Sequence, residues 1–104
     1  MQFENVFVHH VFFYLHQSDA AHTQSLVEGL QRLAKAQIIK DFHIGLPANT
    51  QRDVVDNSYD VSWLAFFRNA EDQDAYQTDT IHLQFVKECS HLWKKVVVFD
   101  SVNA

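Results

Sequence analysis

The sequence predicts an α+β fold in βαββαβ order: a four-stranded antiparallel sheet with both helical regions on one face. Four runs rich in β-branched and aromatic residues alternate in that order with two stretches of helical period. Gly and Pro number only two and one, which disfavours an all-β sandwich with many tight turns. The 104 residues suffice for one core, and a single domain over residues 1–104 is expected.

Val6 to Leu15 (VFVHHVFFYL) is an apolar, aromatic run that reads as the first strand. Ser18 or Asp19 is placed to cap a helix from about Ala20, in which Leu26, Leu30, Leu33 and Gln37 fall at helical spacing. Ile38 to Leu46 reads as a second strand, ending near Gly45 and Pro47. Residues 48–58 are polar and without period, hence a loop. Asp60 to Phe67 (DVSWLAFF) is the third strand. Asn69 then caps a short helix whose first turn carries Glu71 and Asp72, where the helix dipole favours negative charge. Thr78 or Asp79 restarts helix, with His82, Phe85, Val86, Cys89, Leu92 and Trp93 inward and Lys94 and Lys95 at its end. Val96 to Asp100 (VVVFD) closes the order as the last strand.

These strands do not alternate apolar with polar, as a sheet with one wet face should. The first offers His10, Phe12 and Tyr14 on one face and Val11, Phe13 and Leu15 on the other. The third offers Val61, Trp63, Ala65 and Phe67 against Leu64 and Phe66, and the fourth Val96 and Val98 against Val97 and Phe99. Two helices cover one face, so the other needs a cover, and a second copy about a two-fold axis supplies it. Leaving such side chains wet forfeits ~1.5–3 kcal/mol each, which over a face rivals the ~5–15 kcal/mol stability of a domain. A homodimer through the sheet face is expected.

Composition narrows the partners. With net charge −5 and only eight Lys and Arg, the chain is a poor phosphate-backbone binder, so no nucleic acid is expected. The N-terminus lacks a positive n-region and no apolar run approaches the ~20 residues of a membrane span, so neither a signal peptide nor a membrane partner is expected. The single Cys89 forms no internal disulfide and suits a reducing, cytoplasmic setting. No metal and no cofactor are expected. His9 and His10 point to opposite faces of a strand, His16 and His22 near Asp19 make only a surface set, and zinc-type spacings are lacking. Cys89 lies on an apolar helix stripe, a poor place for a nucleophile.

Three residues form a candidate catalytic set: His82, Tyr76 and His10. His82 points inward close to a helix N-terminus, and both circumstances disfavour imidazolium, leaving a base near neutral pH. Tyr76, six residues earlier, ends the short helix where a phenol reaches the same space. With His10 as a third group, the set supports proton transfer next to a carbonyl: His82 abstracting, Tyr76 donating to the enolate, His10 orienting the substrate. Phe12, Trp63, Phe67, Phe85 and Trp93 are the expected apolar walls for a small apolar or keto ligand. The plainer alternatives are a core His satisfied by one hydrogen bond and a Tyr that simply packs.

The chain resembles the stress-responsive A/B barrel (Dabb) family. The resemblance rests on His10-Val11-Phe12, on Phe42 with Gly45, on Glu71-Asp72, Tyr76 and His82 in their spacing, and on the closing VVVFD. It implies a ferredoxin-like fold paired into a homodimeric α/β barrel. A plant polyketide cyclase of this family closes a poly-β-keto chain by an aldol step with a Tyr–His pair, which implies those roles for Tyr76 and His82 and a pocket His at His10. The chain departs from that pattern at Val61, where the cyclase has a His, and at Asp79-Thr80, where the family often has His-Pro. The resemblance therefore implies fold and dimerisation more than a reaction. Three functions fit it: a ligand-binding dimer, a cofactor-independent enzyme (polyketide cyclase-like or, by fold analogy, a small monooxygenase), and a non-catalytic stress-associated structural protein. A closed space around His82 would favour the last.

Overall fold

The computed structural model describes residues 3–104. Its elements are β1 (Phe7–Leu15), α1 (Ala20–Leu33), β2 (Asp41–Gly45), β3 (Val61–Phe67), α2 (Ala70–Gln77), α3 (Thr80–Cys89) and β4 (Trp93–Val102), with a 3₁₀ turn at Ser90–Leu92. Every strand pair is antiparallel and the sheet order is β2-β3-β1-β4, the ferredoxin-like arrangement.

Short polar side chains set the helix starts. Asp19 accepts from the His22 N–H at 2.8 Å, Asn69 from the Asp72 N–H at 2.9 Å, and Asp79 from the Ile81 N–H at 2.8 Å. Asp79 works in both directions, because its own N–H donates to the Tyr76 carbonyl at 3.1 Å and closes α2. The break between α2 and α3 is thereby fixed, with Tyr76 on one side of it and His82 on the other.

Helices cover the sheet face that carries Val11, Phe13, Leu15, Val61, Trp63, Ala65 and Phe67. These side chains form the core with Leu26, Leu30 and Leu33 of α1, Tyr76 of α2, and Phe85 and Cys89 of α3. Helices α1 and α3 come together at Gly29, where a Cβ would run into Cys89 Sγ and meet the Phe85 ring at 3.5 Å. Among the described residues no helix is long and apolar enough to cross a membrane.

The boundaries differ from expectation at three places. α1 ends at Leu33, leaving Gln37 exposed beyond it. β2 is limited to Asp41–Gly45, while Ile38 and Ile39 pack against the core from the connection rather than pairing. α3 stops at Cys89, and Lys94 and Lys95 lie in β4 instead of ending a helix. The reason is pairing: Trp93 is opposite Leu15 and Lys95 opposite Tyr14, so β1 captures the segment three residues earlier than its apolar period indicates.

Among the described residues no helix covers the second face. It presents Val8, His10, Phe12 and Tyr14 of β1, Leu64 and Phe66 of β3, and Val97 and Phe99 of β4. Phe99 is 64% exposed there. Aromatic pairs run across it: Phe12 with Tyr59 at 5.0 Å between ring centroids, Phe3 with Phe66 at 4.9 Å.

Candidate functional site

Between the covered face of the sheet and helices α2 and α3 lies a cavity of about 380 Å³. Its apolar lining includes Phe13, Trp63, Phe85 and Trp93; its polar lining is His9, Gln73, Tyr76, Gln77, His82 and Asp100. The mouth opens beside β4, where two helices are too few to cover the last strand and Val96 and Val98 remain exposed.

Tyr76 is the buried centre of the polar set. Its ring lies 4.5 Å from that of His82, 4.9 Å from Phe67 and 5.9 Å from His9, centroid to centroid. Burial pushes the phenol far above its ordinary pKa, so at neutral pH it is a neutral O–H donor.

His82 occupies the first turn of α3, and its Nδ1 is 3.1 Å from the Gln77 backbone carbonyl. A carbonyl only accepts, so Nδ1 carries the hydrogen and Nε2 of the neutral ring keeps a bare lone pair. Burial first, then the neighbouring His9, lower the His82 pKa; the Gln77 bond and Asp79 oppose them. His9 is held by Asp100, whose Oδ1 is 2.7 Å from His9 Nδ1, across the directly paired strands β1 and β4. The carboxylate accepts the Nδ1 hydrogen and fixes the ring's orientation.

The structure brings Tyr76 and His82 together and separates His10 from them. Side chains alternate along β1, and it is His9, not His10, that faces the helices; His10 lies on the uncovered face, 4.2 Å from Phe12 between ring centroids. The imidazole that β1 gives to the cavity is therefore one residue earlier than expected, and Phe12 leaves the set of walls for the same reason. Trp63, Phe85 and Trp93 line the cavity, whereas Phe67 stands behind Tyr76. On the far face His10 has its pKa lowered by burial first and then by His43, which shares the strand partner Leu64.

Sequence reasoning missed His9, Asp100, Gln73 and Gln77. One signal was available for the first two: Asp100 is an acid at the end of an apolar strand, and such an acid invites a partner. Among the described residues no group of three or more His, Cys, Asp or Glu is placed to hold a metal ion. His22 and Asp19 bond each other at the start of α1, Nδ1 to Oδ1 at 2.6 Å.

A family model described as the stress responsive A/B barrel domain matches residues 7–103. The chain belongs to this family, Dabb. No curated protein matches the Dabb chain in sequence. Among solved structures it is similar to a Dabb family protein of ferredoxin-like fold from Mesorhizobium loti, at 20% identity and a TM-score of 0.76 over 95% of this chain and 97% of that one. It is similar to the hydroxynitrile lyase of Passiflora edulis at 18% identity and a TM-score of 0.79, covering 96% and 94%. A third is a dimeric protein of unknown function from Bacteroides fragilis, at 16% identity and a TM-score of 0.73 over 98% and 100%. At these identities the likeness is one of fold.

Proposed function

We propose that this Dabb domain binds a small, mainly apolar carbonyl compound in the cavity beneath α2 and α3 and moves a proton next to its carbonyl. One observation carries the reading: an imidazole with a bare Nε2 stands in ring contact with a buried, neutral phenol, and both line the same open cavity. His82 Nε2 takes a proton from the carbon beside the carbonyl, and the C–H electron pair becomes the enolate. The Tyr76 hydroxyl donates a hydrogen bond to the enolate oxygen, where the charge develops. In a chain with a second carbonyl, the enolate carbon attacks it and the proton on His82 passes to the new alkoxide, an aldol closure. His9, oriented by Asp100, takes the positioning part expected of His10.

The volume of the cavity supports ligand binding over a purely structural role, since about 380 Å³ lies within the range of ~300–1,000 Å³ usual for small-molecule sites. Enzymes occur among similar folds, the Passiflora lyase being one. The working unit of the reading is a homodimer closed over the uncovered sheet face. Its support is the apolar make-up of that face and the dimeric state of the Bacteroides fragilis relative.

The test is deuterium exchange into aryl ketones in D₂O, followed by proton NMR, together with turnover of β-keto thioesters. Wild type should exceed buffer in at least one substrate. Tyr76→Phe keeps the ring packing and should lose about 10²–10³-fold of the catalysed rate; His82→Ala should lose about 10²–10⁴-fold. Wild-type rates equal to buffer across both substrate classes overturn the catalytic part of the reading.

A further inference from the structure

The register of the sheet grades the cavity floor from polar to apolar. On that face β1 and β4 contribute three directly paired rungs: His9 with Asp100, Val11 with Val98, and Phe13 with Val96. The first rung lies beside Tyr76 and the last beside Trp93, whose ring is 4.9 Å from Phe13 between centroids. Four residues of strand, about 13 Å, separate the two ends. A carbonyl held by Tyr76 and His82 therefore has Asp100 as a neighbour, while the hydrocarbon body runs toward Phe13 and Trp93. The charge at the polar end is of one sign. Among the described residues no Lys or Arg lines the cavity, and Asp100 has His9 as its one ion-pair partner. The Asp100 side chain is 41% exposed at the mouth. A second carboxylate, Asp79, caps α3 through the Ile81 N–H, so the positive end of that helix is already taken. After burial, which is the larger influence, the Asp79 charge also acts on both Tyr76 and His82.

We infer that the cavity selects uncharged carbonyl compounds over keto acids, with Asp100 as the residue that sets this selectivity. The inference rests on the proposed function and narrows its substrate class: a keto acid enters only with its carboxyl masked, as an ester, thioester or amide. A carboxylate next to the ligand's carbonyl would leave water for a site with no cation to meet it, and would face Asp100. His82 supplies no counter-charge to an incoming anion, because burial disfavours its imidazolium. His9 already gives its Nδ1 hydrogen to Asp100. The enolate of the proposed reaction differs from such an anion, since it forms together with the His82 imidazolium, which the Asp79 charge favours.

Phenylglyoxylate and its amide are the probes, alike in shape and differing by one charge. Dissociation constants come from chemical-shift titrations of the ¹⁵N-labelled full-length protein at low salt, on the alkaline side of the imidazole range. The resonances followed are the Tyr76 and His82 amides and the Trp93 indole, all at the cavity. Wild type should bind the amide at least about tenfold more tightly than the acid. Asp100→Asn keeps an oxygen to accept the His9 Nδ1 hydrogen and removes the charge, so it should narrow that ratio about three- to tenfold. A mere loss of His9 alignment would shift both probes alike and leave the ratio standing. Equal affinities in wild type, a tighter acid, or a ratio untouched by Asp100→Asn overturns the inference while the cavity reading stands. If neither probe moves these resonances, the cavity reading falls and this inference with it. Should Asp100→Asn fold poorly, wild type in raised salt replaces it: Coulombic rejection weakens with ionic strength, and a ratio that salt leaves unchanged overturns the charge assignment.

Discussion

Replacing Phe99 by Ala should loosen self-association by roughly 30- to 1,000-fold while barely touching the fold of one protomer. Phe99 sits in β4 opposite His10 on the uncovered face, edge-on to Phe12 at 6.0 Å between centroids. In a single chain 64% of it remains exposed. Full burial of a Phe side chain is worth up to ~3 kcal/mol, so covering the exposed part supplies ~1–2 kcal/mol per copy. A two-fold axis places two copies in the contact, for a total of ~2–4 kcal/mol, or roughly 30- to 1,000-fold in the dissociation constant. Sedimentation equilibrium over a wide loading range measures that constant, and urea unfolding at the lowest concentration checks the protomer. A dissociation constant within threefold of wild type would refute the assignment of this face. A wild-type monomer at micromolar concentration would refute it more simply.

Two further outcomes concern stability. Gly29→Ala should cost ~1–3 kcal/mol by overpacking, although Ala is ordinarily the better helix former by ~1 kcal/mol, because the new methyl runs into Cys89 Sγ; adding Cys89→Ala should restore part of the loss in urea midpoints. Stability should also fall as pH drops below the ordinary His value of 6.5, since burial lowers both His10 and His82 in the folded chain and the unfolded chain takes up protons first. The slope of stability against pH is therefore positive from 6.5 down to the folded values and is reduced in a His10→Gln/His82→Gln double variant; a higher urea midpoint at pH 5 than at pH 8 contradicts the assignment.

The fold was legible because local chemistry and long-range pattern agreed at most elements. Asn69, and the pairs Ser18/Asp19 and Thr78/Asp79, announced their helices through short polar side chains that cap almost regardless of tertiary context, and the structure selects Asp19 and Asp79. The double apolar character of β1, β3 and β4 likewise announced that both faces of the sheet seek a cover. That same property hid the site. When both faces of a strand are apolar, alternation sorts residues into two groups without saying which group meets the helices, so His10 and His9 were exchanged. A shift of one residue moves a side chain through the sheet.

The end of α3 failed for a related reason. Leu92 and Trp93 extend the helical stripe of Phe85 and Cys89, while Val96–Phe99 is equally good strand, and nothing local marks where one becomes the other. Pairing with β1 decides it, and pairing is not a local property. Trp63 shows a third limit. Its bulk could be placed on the correct face from spacing alone, but whether its one polar atom finds an acceptor depends on atoms from α2 that no periodicity relates to it.

The lone thiol offers the protein an internal clock. Cys89 is shut between α3 and the glycine notch of α1, and burial pushes its pKa up, so the reactive thiolate is suppressed for as long as the two helices stay docked. A thiol-directed dye thus waits on the helices parting, and its rate of attachment counts those openings without any added label. Oxidants meet the same gate and reach the sulfur only when α1 and α3 part.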